Sequence, residues 1–180
     1  WQQHNEVSIA GAPLFIGPVA AISQPGVLDD LIASIEQQCP TPAMVVLDTL
    51  SRCFAGDEDS ARDMNRFISA CDCIRQRWGC TVLVVHHDGH GDTDRTQGAI
   101  TLSAALDAEY RLLRTDRLLL TATKLRDRQI PPPLAMSLVK VNLPGVVDDE
   151  GNAVRSVAIG IGGVERTRQN KAICNIYNVS

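Results

Sequence analysis

The first lysine of this 180-residue chain is Lys124. The phosphate-cradling loop G-x-x-x-x-G-K-[ST] needs a lysine beside its backbone N–H groups, so no such loop exists here. Long apolar runs are missing as well. None approaches the ~18 residues of a membrane span, and "WQQHNEVS" lacks both the basic start and the apolar middle of a signal peptide. The chain therefore reads as cytoplasmic and not as a membrane protein. Its start at Trp1 instead of Met points to a fragment or a processed product. C-x-x-C spacing is absent: Cys39, Cys53, Cys71, Cys73, Cys80 and Cys174 are scattered, mostly within apolar patterns, as reduced core thiols would be. A zinc site from Cys53, Cys71, Cys73 and Cys80 fits no common zinc module. Positive charge is also short, and a net charge of -4 excludes a broadly basic nucleic-acid surface. Any contact with DNA has to be local.

What is present describes an ordinary globular domain. Hydrophobic residues make up 44% and charged residues 21% of a length that suits one core. "APLFIG", Ala12 to Gly17, has strand composition. In "QPGVLDDLIASIEQQCP", Leu28, Leu31, Ile32 and Ile35 recur at helical spacing between Pro25 and Pro40. "AMVVLD" is an uninterrupted apolar run ending on Asp48, the pattern of a strand covered on both faces. The clearest helix follows, with Ser60 as cap and Asp63 three residues on. Met64, Phe67, Ile68, Cys71, Ile74 and Trp78 form its apolar stripe, and Gly79 its end. "CTVLVV" is a further buried strand.

Strands alternating with helices predict an α/β fold with parallel strands and crossover helices, functional groups lying at the carboxyl ends of the strands. From Ala105 the pattern changes to an antiparallel β extension: two strands turning near Thr115 and Asp116, then "LAMSLVKVNL" and "SVAIGI" around the turn-rich "PGVVDDEGNAVR". One domain over 1–163 and a weakly patterned C-terminal tail over 164–180 complete the division.

Three constellations can carry chemistry. Asp48 ends a buried strand, where a carboxylate can hold the water shell of Mg²⁺ beside a nucleotide. His86 and His87 end the next strand. With His90 and one of Asp88, Asp92 or Asp94 they have the chemistry of a metal site, yet consecutive strand residues point to opposite faces. That leaves a buried structural role or a polar sensor at a nucleotide site, and the sensor is the reading preferred here. Lys124 and Arg126, two residues apart near a strand end, share a face on strand alternation, so both could reach one phosphate cluster; singly, each reads as a solvated charge.

In this order and spacing, "MVVLDTLSRCFAGDEDSARDM", "TVLVVHH", "ALDAEYRL" and "TKLRDRQIPPPLAMSL" resemble the central and C-terminal part of a RecA-like ATPase core. The nearest resemblance is to the RepA-like ATPases of plasmids and phages, relatives of replicative hexameric helicases, and it spans about Pro13 to Leu143. It implies Asp48 as the Walker B carboxylate for Mg²⁺, with Thr49 and Ser51 as cofactor-binding neighbours. It implies His87 as the γ-phosphate sensor, His86 as its support, and Lys124 and Arg126 as residues acting in trans in a neighbouring subunit's site. The parent would be a homo-oligomeric ring or filament using ATP and Mg²⁺, with single-stranded DNA as a further partner.

Departures from the resemblance matter equally. The P-loop and the family's water-activating glutamate are missing, so the chain alone is expected not to bind ATP tightly or to hydrolyse it. Relatives carry R-G-S-S-A-L where this chain reads "QGAITL", which puts Gln97 at the arginine position with Arg95 as the nearest substitute. A truncated portion of such an ATPase is the leading expectation. The alternatives are a degenerate non-catalytic binding or assembly module, and a metal-dependent hydrolase built on His86, His87 and His90.

Overall fold

A computed structural model describes residues 8, 10–87, 97–114, 117–161 and 172–179. The helices are α1 (Val27–Gln38), α2 (Leu50–Cys53), α3 (Ala61–Trp78) and α4 (Gln97–Ala105). The strands are β1 (Met44–Asp48), β2 (Thr81–His86), β3 (Ala108–Arg114), β4 (Leu118–Leu125), β5 (Leu134–Val147), β6 (Ala153–Ile161) and β7 (Ala172–Val179). All described strands join one sheet in the order β1-β2-β7-β3-β4-β5-β6. Only β1 and β2 pair in parallel; every other pairing is antiparallel. The fold is α/β, a parallel pair linked by α2 and α3 and continued by an antiparallel extension.

α3 forms where its capping signals place it. Ser60 Oγ accepts a hydrogen bond from the Asp63 N–H at 3.4 Å, and Gly79, at φ 62°, closes the helix in the left-handed region that glycine tolerates. Met64, Phe67, Cys71 and Ile74 are buried, with Ile68 and Trp78 packed at the margin. They meet Leu47 of β1 and Val82 and Val84 of β2, so the core lies between α3 and one sheet face. Cys53, Cys71 and Cys80 are buried as free thiols, while Cys73 is exposed.

The structure corrects the sequence reading in several places. Ala12–Gly17 forms no strand; Leu14, Phe15 and Ile16 are exposed in irregular chain between Pro13 and Pro18, residues that cannot donate to a ladder. β1 is not covered on both faces by described residues: it is the edge strand, and Met44 and Val46 are exposed. β5 continues through Pro144 and Gly145, which sit in a register irregularity between Asn142 and Val147. The expected long turn shrinks to Asp148–Asn152, where Asp148 Oδ1 accepts from the Asn152 and Glu150 N–H groups at 2.8 and 3.0 Å. Residues 172–179, for which sequence pattern predicts no element, form β7 between β2 and β3. The domain boundary expected at 163/164 lies outside the described residues, as do Thr115 and Asp116.

Candidate functional site

Asp48 is the last residue of β1 and pairs across the ladder with Val85, so it and the end of β2 share one sheet edge. Its carboxylate is exposed, and the Asp48–Thr49 peptide bond is cis. Thr49 is the cap residue before α2: its carbonyl accepts from the Arg52 and Cys53 N–H groups, both at 3.0 Å. The short helix is anchored by Leu50 and Cys53, both buried. Thr49 and Ser51 share a hydroxyl hydrogen bond of 3.2 Å next to Asp48. Burial pushes the Cys53 thiol up, and the charge of Asp48 adds to that effect.

His86 ends β2 on the helix side of the sheet, in phase with buried Val82 and Val84. Its Nε2 lies 3.8 Å from Glu58 Oε2, an ion pair when the imidazole is protonated. Asp48 is in phase with Met44 and Val46, hence on the opposite face. His87 is exposed just past the strand. The two histidines thus follow the strand's alternation, which separates them as ligands for one ion. No group of three metal-ligating side chains occurs among the described residues; His90, Asp88, Asp92, Asp94 and Arg95 lie outside them.

Lys124 and Arg126 are engaged within the chain. Leu47, Val84, Tyr177, Glu109 and Lys124 occupy one row across five strands, which puts Lys124 four strand spacings, about 19 Å, from β1. Its ammonium donates to the Ser103 and Ala104 carbonyls at 2.6 and 3.3 Å, at the end of α4. Arg126 lies beyond β4; its guanidinium pairs with the Asp107 carboxylate and its N–H donates to the Asp107 carbonyl at 2.8 Å. The structure does not bring this pair to Asp48.

Two residues that sequence reasoning passed over lie around His86. Glu58 sits in the acidic "GDEDS" segment, which reads as a helix lead-in; its nearness to His86 depends on β2 and carries no local signal. Gly98 docks the start of α4 on that segment, its N–H donating to the Asp59 carbonyl at 3.1 Å. A Cβ there would collide with the Glu58 carbonyl oxygen. Gln97, at the position where an arginine is expected, starts α4, and its backbone carbonyl accepts from Thr101 Oγ1 at 2.7 Å.

Asp48, Thr49 and Ser51 offer oxygen donors, the chemistry that suits a largely hydrated Mg²⁺, with the two hydroxyls bonded to each other. The 180 residues offer no glycine-rich cradle for phosphates, so the match is one of donor chemistry for a metal and does not extend to a nucleotide as a whole. No described helix is long and apolar enough to cross a membrane. No curated protein and no solved structure matches the chain significantly. Residues 9–93, which contain Asp48, α3 and both His86 and His87, match the family model of the AAA domain, and the α/β fold is consistent with a P-loop-NTPase-like core.

Proposed function

We propose that this chain supplies the Mg²⁺-binding and sensing side of a RepA-like replication ATPase whose phosphate cradle comes from a segment outside these 180 residues. The carrying observation is the shared edge inside the AAA-matched region: Asp48 at the end of β1, beside the end of β2 with His86 and His87. In this reading Asp48 holds the hydrated metal, with Thr49 and Ser51 beside it. His87 senses the γ-phosphate and His86 braces the strand end. Lys124 and Arg126 act on a neighbouring copy in a ring or filament, and Arg95 stands in for the arginine replaced by Gln97. Further copies of the chain and single-stranded DNA are its partners.

The test uses a protein that includes the preceding segment. Asp48→Ala is expected to lower Mg²⁺-dependent ATP turnover by ~100-fold or more, and unchanged turnover removes Asp48 from the site. A second reading, a non-catalytic binding or assembly module, is favoured by Lys124 and Arg126 being occupied within the chain. A coding sequence whose upstream part lacks a glycine-rich loop ending in Lys-Ser or Lys-Thr decides for that module.

A further inference from the structure

We infer that Lys124 is also a positioning residue for His86, acting through helix α4. The inference rests on the proposed function for its purpose, but its geometry stands within the chain. α4 has nine residues, about 13 Å, and no basic residue in its last turn. The carbonyls that a helix leaves unpaired at its C-terminus attract cations, and here Lys124 supplies that cation from β4. Ser103 fastens the same end to β3 by donating to Glu109 Oε2 at 3.3 Å. Leu102 is buried against the core, and Leu106, just past the helix, is fully so.

At its other end α4 meets the acidic segment backbone to backbone. Gly98 leaves no room for a side chain against Glu58, so a shift of α4 is transmitted to that segment without a compliant side chain between them. Glu58 carries the carboxylate that faces His86. The chain of contacts therefore runs from Lys124 to the end of α4, along the helix to Gly98, and through Glu58 to His86. A phosphate in a neighbouring subunit that draws Lys124 away leaves the Ser103 and Ala104 carbonyls without their cation. The helix loosens at that end, and Glu58 moves relative to His86.

The experiment needs no nucleotide. Amide hydrogen exchange of α4 and the imidazole ¹⁵N resonances of His86 are recorded at one fixed pH for the chain and its variants. Lys124→Met is expected to speed exchange of the amides of Thr101 to Ala105 roughly fivefold and to displace the His86 resonances; Lys124→Arg should restore both. Glu58→Gln, which leaves the backbone docking intact, should displace the His86 resonances without changing exchange in α4. Faster exchange in Lys124→Met with unmoved His86 resonances reduces Lys124 to a helix cap and overturns the inference. So does unchanged exchange. A parent protein without ATP turnover would defeat the proposed function and leave these resonances as they are, so the two failures are separable.

Discussion

The helix-backed part of the chain, from Ile22 to Leu106, and the antiparallel part, from Ala108 to Ile161, solve burial differently. The first buries large side chains: Leu50, Met64, Phe67, Ile74, Val82 and Val84. The second buries mainly alanines, Ala108, Ala122, Ala135 and Ala158, with Leu118, and leaves Leu134, Leu138, Val157 and Ile159 exposed. The difference follows from layering. α3 lies across β2 and β7, whereas β5 and β6 pair from Met136 to Val147 after β5 has met β4 over only Leu118–Leu120. Among the described residues no second layer closes over this two-stranded ribbon. Cooperative stability is thereby concentrated next to Asp48 and His86. Lys124 belongs to the thinly packed part and reaches back to the other through α4.

The sharpest way to break this comparison is a pair of truncations. Phe67 is fully buried with its ring centroid 5.7 Å from that of Phe54, so Phe67→Ala is expected to cost about 3–5 kcal/mol, read from the urea midpoint. Ile159→Ala, on the exposed ribbon, is expected to cost about 0.5 kcal/mol or less. Similar costs at the two positions would mean that the ribbon is packed against something in solution and that the contrast is false.

Alkaline unfolding sharpens the same contrast, because the shifted thiols lie in the helix-backed part. Cys71 is fully buried, and desolvation pushes its thiol up from 9.0, with Asp72 adding to it. Below pH 9 the thiol is protonated in both states and stability does not depend on it. Above pH 9 it ionises in the unfolded chain while staying protonated in the fold, so protons favour the native state and stability falls as pH rises. The expected contribution is about 1.4 kcal/mol per pH unit until the folded thiol itself ionises. Urea midpoints from pH 8 to 10.5 check it: Cys71→Ala should fall less steeply than the parent, and identical slopes would assign the loss to other groups.

Legibility in the sequence follows the same division. α3 was readable from Ser60, Gly79 and an apolar stripe at helical spacing, and Asp48 from its place after four apolar residues, because capping and periodicity are local. β7 was not: "AICNIYNV" acquires its place only by pairing with β2 and β3, which lie far away in the chain. α4 was hidden because "QGAITLSAA" is short and carries no amphipathic stripe, and its hold on the fold comes from tertiary contacts: its packing on α3, buried Leu102, Gly98 and Lys124. The separation of His86 from His87 follows from strand alternation, whereas the opposite placement of Asp48 and His86 needs the β1–β2 register, which no local pattern supplies. The Glu58 contact is not local either, since it depends on where the α2–α3 loop comes to rest.

α1 is the exception inside the helix-backed part, and the smallest expected effect concerns it. It contains no fully buried residue; Leu28 and Leu31 only edge the core, and Gly26 begins the helix without a side-chain cap. Its firmest polar tie is Arg77 at the end of α3, whose Nε and Nη2 both donate to Glu36 Oε1, at 2.7 and 2.5 Å. Both side chains remain well exposed to water, 58% and 36%, so screening keeps the pair to a few tenths of a kcal/mol. Arg77→Ala should therefore leave the urea midpoint nearly unchanged while hastening amide exchange in α1 and not in α3, with the difference fading at 1 M salt. If α3 were to loosen equally, α1 would have to be counted with the core, and the packed layer would extend further from the sheet than the buried side chains indicate.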